Sequence, residues 1–468
     1  MSFVKTFAKF SIGTWIGALI SLVSAPVTAW FINPAEFGKA SMFTLAYSLL
    51  GSVVILGMDQ SFSRFYVDVD DDKKHVLLKS VLLPSLLLTF FISVTILLFK
   101  EKISFLLFGS PNLTVYVWLL CLMVLIGVIS RFSLLSIRMQ GEALKFSKIQ
   151  IIGALLSFSS LILYANYVSS TFEAIVVTAV LAQLFTLIIT ISYDTEIWCK
   201  LFSDVRHIDK EMSRKYLLFG LPFVPTFLID WLFQGADRTF LRLFSDYSQL
   251  GLYALALKIS LSLSIVQSGF VTFWLPFSLE RFKNDPDDKS IYSNIFNTLT
   301  LVFGVLITCI VLAQEVLTLI LPKSYNEIIP IFPFLLFIPM LYTVSEVTSV
   351  GINFKSRTIN HLYVIIISVI VNVLAALLFI PLYGALGASI AMFLGYIAFF
   401  VCRTFFGRKC YFFSLDLMKF TSAFAMVLLP VIFTTFFTNS KLYLLGIFTI
   451  PVLWIMYKED LKRTIKLQ

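Results

Sequence analysis

The residues best able to do chemistry in this sequence are charges set inside apolar surroundings. Asp59 and Arg64 close one apolar run, in Leu56-Gly57-Met58-Asp59-Gln60-Ser61-Phe62-Ser63-Arg64-Phe65-Tyr66, and Arg131 ends another. Asp230 lies within a third run, with Asp237-Arg238 and Arg242 near its end, while Lys258 and Glu346 interrupt two more. A charge in lipid is costly and is normally turned towards a bundle interior or a wet cavity. A planar guanidinium suits phosphate oxygens. Arg64 and Arg131 therefore read either as a cationic vestibule for an anionic headgroup or as snorkelling interface residues. Asp59, Asp230, Asp237 and Glu346 are candidates for ion coupling or for structural hydrogen bonding. Asp237-Arg238 reads as a local ion pair at the outer surface.

The absences narrow the chemistry further. No GxxxxGK[ST] phosphate loop, HExxH, GxSxG or Cys–His arrangement occurs, which disfavours an ATP-driven pump or a hydrolase. Cys121, Cys199, Cys309, Cys402 and Cys410 have no paired spacing and are expected to be free thiols. His75, His207 and His361 are too scattered for a metal site, and nothing implies a cofactor. Moving a substrate fits these residues better than transforming one.

The elements that hold these charges are set by composition. Apolar residues make up 59% of the 468 and charged ones 13%, against roughly 45–50% and about 25% in soluble domains. A soluble enzyme, a disordered chain and a disulfide-stapled secreted domain are excluded. Continuous apolar runs of membrane-spanning length can be placed fourteen times, from 10–32 to 441–457. They must be helices, because unpaired backbone groups in lipid cost several kcal/mol each. The first run is full span length with no cleavage site at its end, so no removable signal peptide is expected.

With the N-terminus in the cytoplasm, cytoplasmic segments hold 28 of the 36 basic residues and the opposite loops hold 7, with Lys258 inside a span. That bias places both termini in the cytoplasm. The net charge of +9 is then mainly a topology signal, and nucleic acid is not an expected partner. The longest hydrophilic stretch, Asp194 to Lys215, reads as a joint between two six-helix halves. The expected division is residues 1–215, 216–405 and 406–468: an N-terminal lobe, a C-terminal lobe, and two appended helices with a tail.

Weak internal similarity supports that division. Phe37-Gly38-Lys39-Ala40-Ser41 opens span two, and Leu250-Gly251-Leu252-Tyr253-Ala254 opens span eight. Each follows a span with interior proline, Pro26 in the first and Pro222 with Pro225 in the seventh, which are candidate hinges. At about 1.5 Å per residue, Asp230 and Lys258 fall at similar depth in the outer half of a core about 30 Å thick. They are expected to pair, as a structural bridge or in the wall of a polar cavity.

Four stretches carry a family resemblance. Asn33-Pro34-Ala35-Glu36-Phe37-Gly38 resembles a Pro-x-Glu-Phe/Tyr-Gly turn, and Leu56-Gly57-Met58-Asp59 through Arg64-Phe65-Tyr66 resembles the Arg-Phe ending of a second span. Gly220-Leu221-Pro222 through Asp237-Arg238, with Gly251-Leu252-Tyr253, resembles a Gly-x-Pro…Asp-Arg…Gly-x-Tyr signature. Asn372 with Ile380-Pro381-Leu382-Tyr383-Gly384-Ala385-Leu386-Gly387-Ala388 resembles an Asn…Pro-x-Tyr-Gly-x-x-Gly-Ala motif. In order and together, these resemble the polysaccharide repeat-unit (O-antigen) flippases of the multidrug/oligosaccharidyl-lipid/polysaccharide exporter superfamily.

The resemblance implies an all-α, V-shaped transporter, like the superfamily's multidrug exporters, that works by alternating access. Its cargo would be an undecaprenyl-diphosphate-linked oligosaccharide, moved across a bacterial inner membrane for O-antigen, lipopolysaccharide or capsule synthesis. A polysaccharide polymerase and a chain-length regulator are the implied partners, besides membrane lipids. A cationic cavity would involve Arg64 and Arg238, which lie in the motif stretches, and Arg242 and Lys258, which topology places nearby. The alternatives are a cation-coupled multidrug exporter of the same superfamily and a membrane glycosyltransferase or polymerase.

Overall fold

The computed structural model describes residues 3–203, 210–437 and 441–465, so His207 and part of the central joint lie outside the described residues. Among the described residues every regular element is helical. Twelve segments are long and apolar enough to cross a membrane. One of them, Ile359–Cys410, runs for 52 residues. At about 1.5 Å per residue that is more than twice a hydrocarbon core of about 30 Å. It breaks at Gly384, whose φ of 54° and ψ of −127° are non-helical, so it supplies two crossings. The shorter apolar segment Phe332–Thr348 is buried almost throughout and continues into Val350–Phe354. A helix apolar on every side belongs in the middle of a bundle, and with it the expected fourteen crossings are accounted for.

Outside the buried positions the chain is covered with large apolar side chains. Phe90, Phe91, Leu98, Leu319 and Phe405 are all more than half exposed. Such a surface suits lipid and no aqueous phase. The protein is a multi-pass membrane protein.

The described chain forms two compact units, Met1–Ile32 with Glu36–Gly235, and Asn33–Ala35 with Ala236–Gln468. The change of unit falls inside the helix Phe223–Phe244. Helix Pro34–Val54, in the first unit from Glu36 onward, begins on proline, which lacks the N–H that a first turn would leave unpaired anyway. It stops where Leu56 and Gly57 adopt left-handed φ of 55° and 67°, and Met58–Phe65 restarts at an angle. Here the backbones touch. A β-carbon on Gly57 would lie 2.2 Å from the carbonyl oxygen of Gly220, and one on Gly220 would lie 2.7 Å from that of Leu56. Ser61 Oγ secures the crossing by donating to the Tyr216 carbonyl at 2.7 Å.

In the second unit the two final helices, Leu417–Phe436 and Gly446–Ile465, are joined by an ion pair between Lys419 and Asp460. They pack on helix Ser290–Leu312, where Val427 and Leu453 close over Gly304. Thr464 bonds Thr298 at 2.9 Å, and Tyr443 donates to Glu315 at 2.6 Å. The expected appendage is therefore built into this unit.

Candidate functional site

In the first unit the short helix Met58–Phe65 carries a charge near each end. Asp59 lies in its first turn, where the helix dipole favours an acid, and accepts from the Gln60 N–H at 2.9 Å. Arg131, on helix Thr114–Met139, donates to Asp59 Oδ2 through Nε at 3.2 Å and through Nη2. The pair is asymmetric: the Arg131 side chain is 55% exposed and the Asp59 side chain 5%. The buried carboxylate anchors the guanidinium, leaving much of its cationic surface open. One turn earlier on the same helix face, Gly127 makes room for the Tyr47 hydroxyl, which a β-carbon would meet at 2.5 Å. Arg64, at the other end of the short helix, pairs with Asp68 at 2.9 Å, both largely exposed. A pair so solvated contributes little to stability.

The part of helix Phe223–Phe244 in this unit is fixed by Trp231, whose Nε1 donates to Ser48 Oγ at 3.0 Å. Asp230 is exposed and accepts from Gln234 at 2.8 Å. Pro222 stands between helices Lys210–Gly220 and Phe223–Phe244, and Pro225 is in the first turn of the second, where a missing N–H costs little. Pro26 is inside helix Phe3–Phe31.

In the second unit Asp237 corrects the expectation of an outer-surface ion pair with Arg238. It is fully buried and held by neutral donors. Tyr253 Oη donates to Oδ2 at 3.0 Å, and Asn372 Nδ2 donates to Oδ1 at 3.1 Å. All three side chains are at 0% exposure. A buried carboxylate satisfied in this way ties helix Phe223–Phe244 to Tyr247–Ser260 and Ile359–Cys410. Three motif positions scattered along the sequence thus form one polar knot. Arg238 is partly buried beside it, and Arg242 lies over the Tyr247 ring at 4.7 Å. Lys258 is partly buried in the last turn of Tyr247–Ser260, next to the 3-10 turn Leu261–Leu263. Asp230 and Lys258 belong to different units.

Glu346 pairs with Arg403 at 2.8 Å, both side chains mostly buried. Arg403 also reaches Ser345 Oγ at 3.1 Å, with the Tyr342 and Phe399 rings against it. Arg403 was not among the residues singled out in the sequence. Glu346, an acid inside the apolar helix Phe337–Thr348, was the available signal that a base must come to meet it.

The internal similarity reappears as matched contacts. Glu36 Oε2 accepts from the Phe172 N–H at 3.0 Å, capping helix Phe172–Tyr193. Gln249 Oε1 accepts from the Ala385 N–H at 3.0 Å, just past the break at Gly384. Each contact spans 136 positions. A β-carbon at Gly384 would stand 2.7 Å from that same Gln249 oxygen, so glycine is needed for fit as well as for φ.

A family model described as polysaccharide biosynthesis protein matches residues 3–282. No curated protein matches the sequence. Among solved structures, the lipid II flippase MurJ in an inward closed conformation is similar, with a TM-score of 0.74 at 13% identity over 97% of this chain and 99% of that one. A Vibrio cholerae MATE transporter gives 0.59 at 16% identity over 86% and 96%. An inward-facing multidrug resistance MATE family transporter of the MOP superfamily gives 0.59 at 15% identity over 89% and 98%. Identities this low speak for the fold, which is of the MOP type. With more than half its length matched, the chain belongs to the polysaccharide biosynthesis protein family.

Proposed function

We propose that the protein is a flippase that moves undecaprenyl-diphosphate-linked oligosaccharide repeat units across a bacterial inner membrane by alternating access, for O-antigen or capsule synthesis. The observation that carries this reading is Arg131, a half-open guanidinium held by the buried Asp59. A cation fixed in this way is suited to a diphosphate. Arg64, Arg238, Arg242 and Lys258 complete the proposed cationic cavity. Asp230, an exposed acid in an apolar helix, is a candidate coupling acid on this reading. Residues 1–215 and 216–405 act as the moving lobes, with Pro26, Pro222 and Pro225 as hinges and 406–468 as the added helices.

Both termini lie in the cytoplasm on this reading, supported by the basic-residue bias. A reporter fused after Ser169 is expected outside, and its activity in the cytoplasm would overturn the topology. A polymerase and a chain-length regulator receive the flipped product. Deleting the gene is expected to strand lipid-linked repeat units on the inner leaflet, and unchanged surface glycan would sink the reading. The similarity to MATE transporters favours one other reading, a cation-coupled multidrug exporter. That one predicts drug hypersensitivity on deletion and an intact glycan.

A further inference from the structure

The second unit carries a groove unrelated to the charges above. Leu341, the last turns of helix Ile359–Cys410 and the start of Leu417–Phe436 enclose a cavity of about 700 Å³. Its wall is mostly apolar, with Phe400, Phe405, Phe412, Phe420 and Phe424 among aliphatic side chains, and charge enters only as Arg408 and Lys409. The groove's own polar groups are already engaged. Thr404 bonds Thr348 at 2.8 Å, and Thr421 donates to the Leu417 carbonyl at 2.8 Å.

The cations around the groove divide sharply. Arg403 is paired with Glu346 and Lys419 with Asp460. Arg408 and Lys409 have no carboxylate partner among the described residues. Arg408 is braced over the Phe412 ring at 4.8 Å, and its buried Nε has no hydrogen-bond partner. Two uncompensated cations at the mouth of an apolar slot call for a ligand with an anionic head and a hydrocarbon tail.

We propose that this groove is a binding site for an anionic glycerophospholipid, with its phosphate on Arg408 and Lys409 and an acyl chain along the phenylalanine wall. On the orientation implied by the basic-residue bias, that end of the helix faces the cytoplasmic leaflet. There anionic headgroups are attracted by basic pockets between helices. The lipid seals the seam between Ile359–Cys410 and Leu417–Phe436. It is distinct from the transported cargo.

The test uses the full chain purified in detergent and probed with dioleoylphosphatidylglycerol and dioleoylphosphatidylcholine. Native mass spectrometry is expected to show phosphatidylglycerol retained in preference to phosphatidylcholine. R408Q/K409Q is expected to weaken that retention roughly tenfold or more, at about the strength of two surface cations, leaving phosphatidylcholine binding unchanged. Because the double variant could misfold, F405W in the otherwise native chain gives a second readout. Phosphatidylglycerol with brominated acyl chains should quench the added tryptophan, and brominated phosphatidylcholine should not. Equal retention of the two lipids, retention unaffected by R408Q/K409Q, or equal quenching would overturn the proposal. So would displacement of phosphatidylglycerol by undecaprenyl phosphate, which would hand the groove to the cargo. None of these results bears on whether repeat units are flipped.

Discussion

Glu36 and Gln249 hold the same station in the two halves of the chain. Each closes onto a backbone N–H 136 positions further along, at Phe172 and at Ala385. The acid and the amide differ in charge but offer the same acceptor. Glu36→Ala and Gln249→Ala should each destabilise the protein by about 0.5–2 kcal/mol, the range for a lost helix cap, read as a lower thermal midpoint in detergent. Glu36→Gln should keep most of the stability. If Glu36→Gln fell as far as Glu36→Ala, the charge and not the backbone contact would be what matters.

The Asp237 knot makes a sharper forecast. Tyr253→Phe leaves a buried carboxylate short of one donor, at about 1–3 kcal/mol. Asn372→Asp should do more harm, since it replaces a donor with a second buried acid. Thermal midpoints compared in one detergent check the order, and equal losses would contradict it.

For Asp59 and Arg131, the proposed function depends on the guanidinium more than on its anchor. Arg131→Gln should abolish glycan export, while Asp59→Asn should reduce it by leaving Arg131 in place but loosely held. A double-mutant cycle should give about 0.5–3 kcal/mol of coupling, as for residues in contact. Independent effects would remove the anchoring role.

Glycine positions separate conformation from contact. Gly141 has a φ of 78° and open space around it, so Gly141→Ala should cost about 1–2 kcal/mol for the left-handed backbone alone. Gly57→Ala adds a collision with the Gly220 carbonyl and should cost clearly more. Similar expression and melting of the two variants would show that the crossing can relax.

The crossings were legible because hydropathy along one chain suffices to find them. Even the tenth, Phe332–Thr348 with its continuation, stands out by apolarity although its helix is broken. Partnerships were not legible in the same way. Asp237 sits beside Arg238 in sequence, yet its bonds go to Tyr253 and Asn372, because burial favours neutral donors that three converging helices can supply. Arg403 did not stand out in the sequence, and Arg131 read equally as a vestibule cation or an interface residue. Where each guanidinium ended up depends on an acid more than fifty residues away, a distance only folding can close.

The meeting of Gly57 and Gly220 has a mechanical meaning. Most helix contacts interlock side chains, and shifting them means disengaging each tooth from its notch. Here peptide planes lie against peptide planes with no side chain between them, at the point where Met58–Phe65 turns away from Pro34–Val54. Such a contact sets the two rods at the closest spacing backbones allow. The Ser61 hydroxyl on the Tyr216 carbonyl and the Phe65 ring against Tyr216 and Phe219 then block their rotation, so the crossing works as a welded joint inside the first unit.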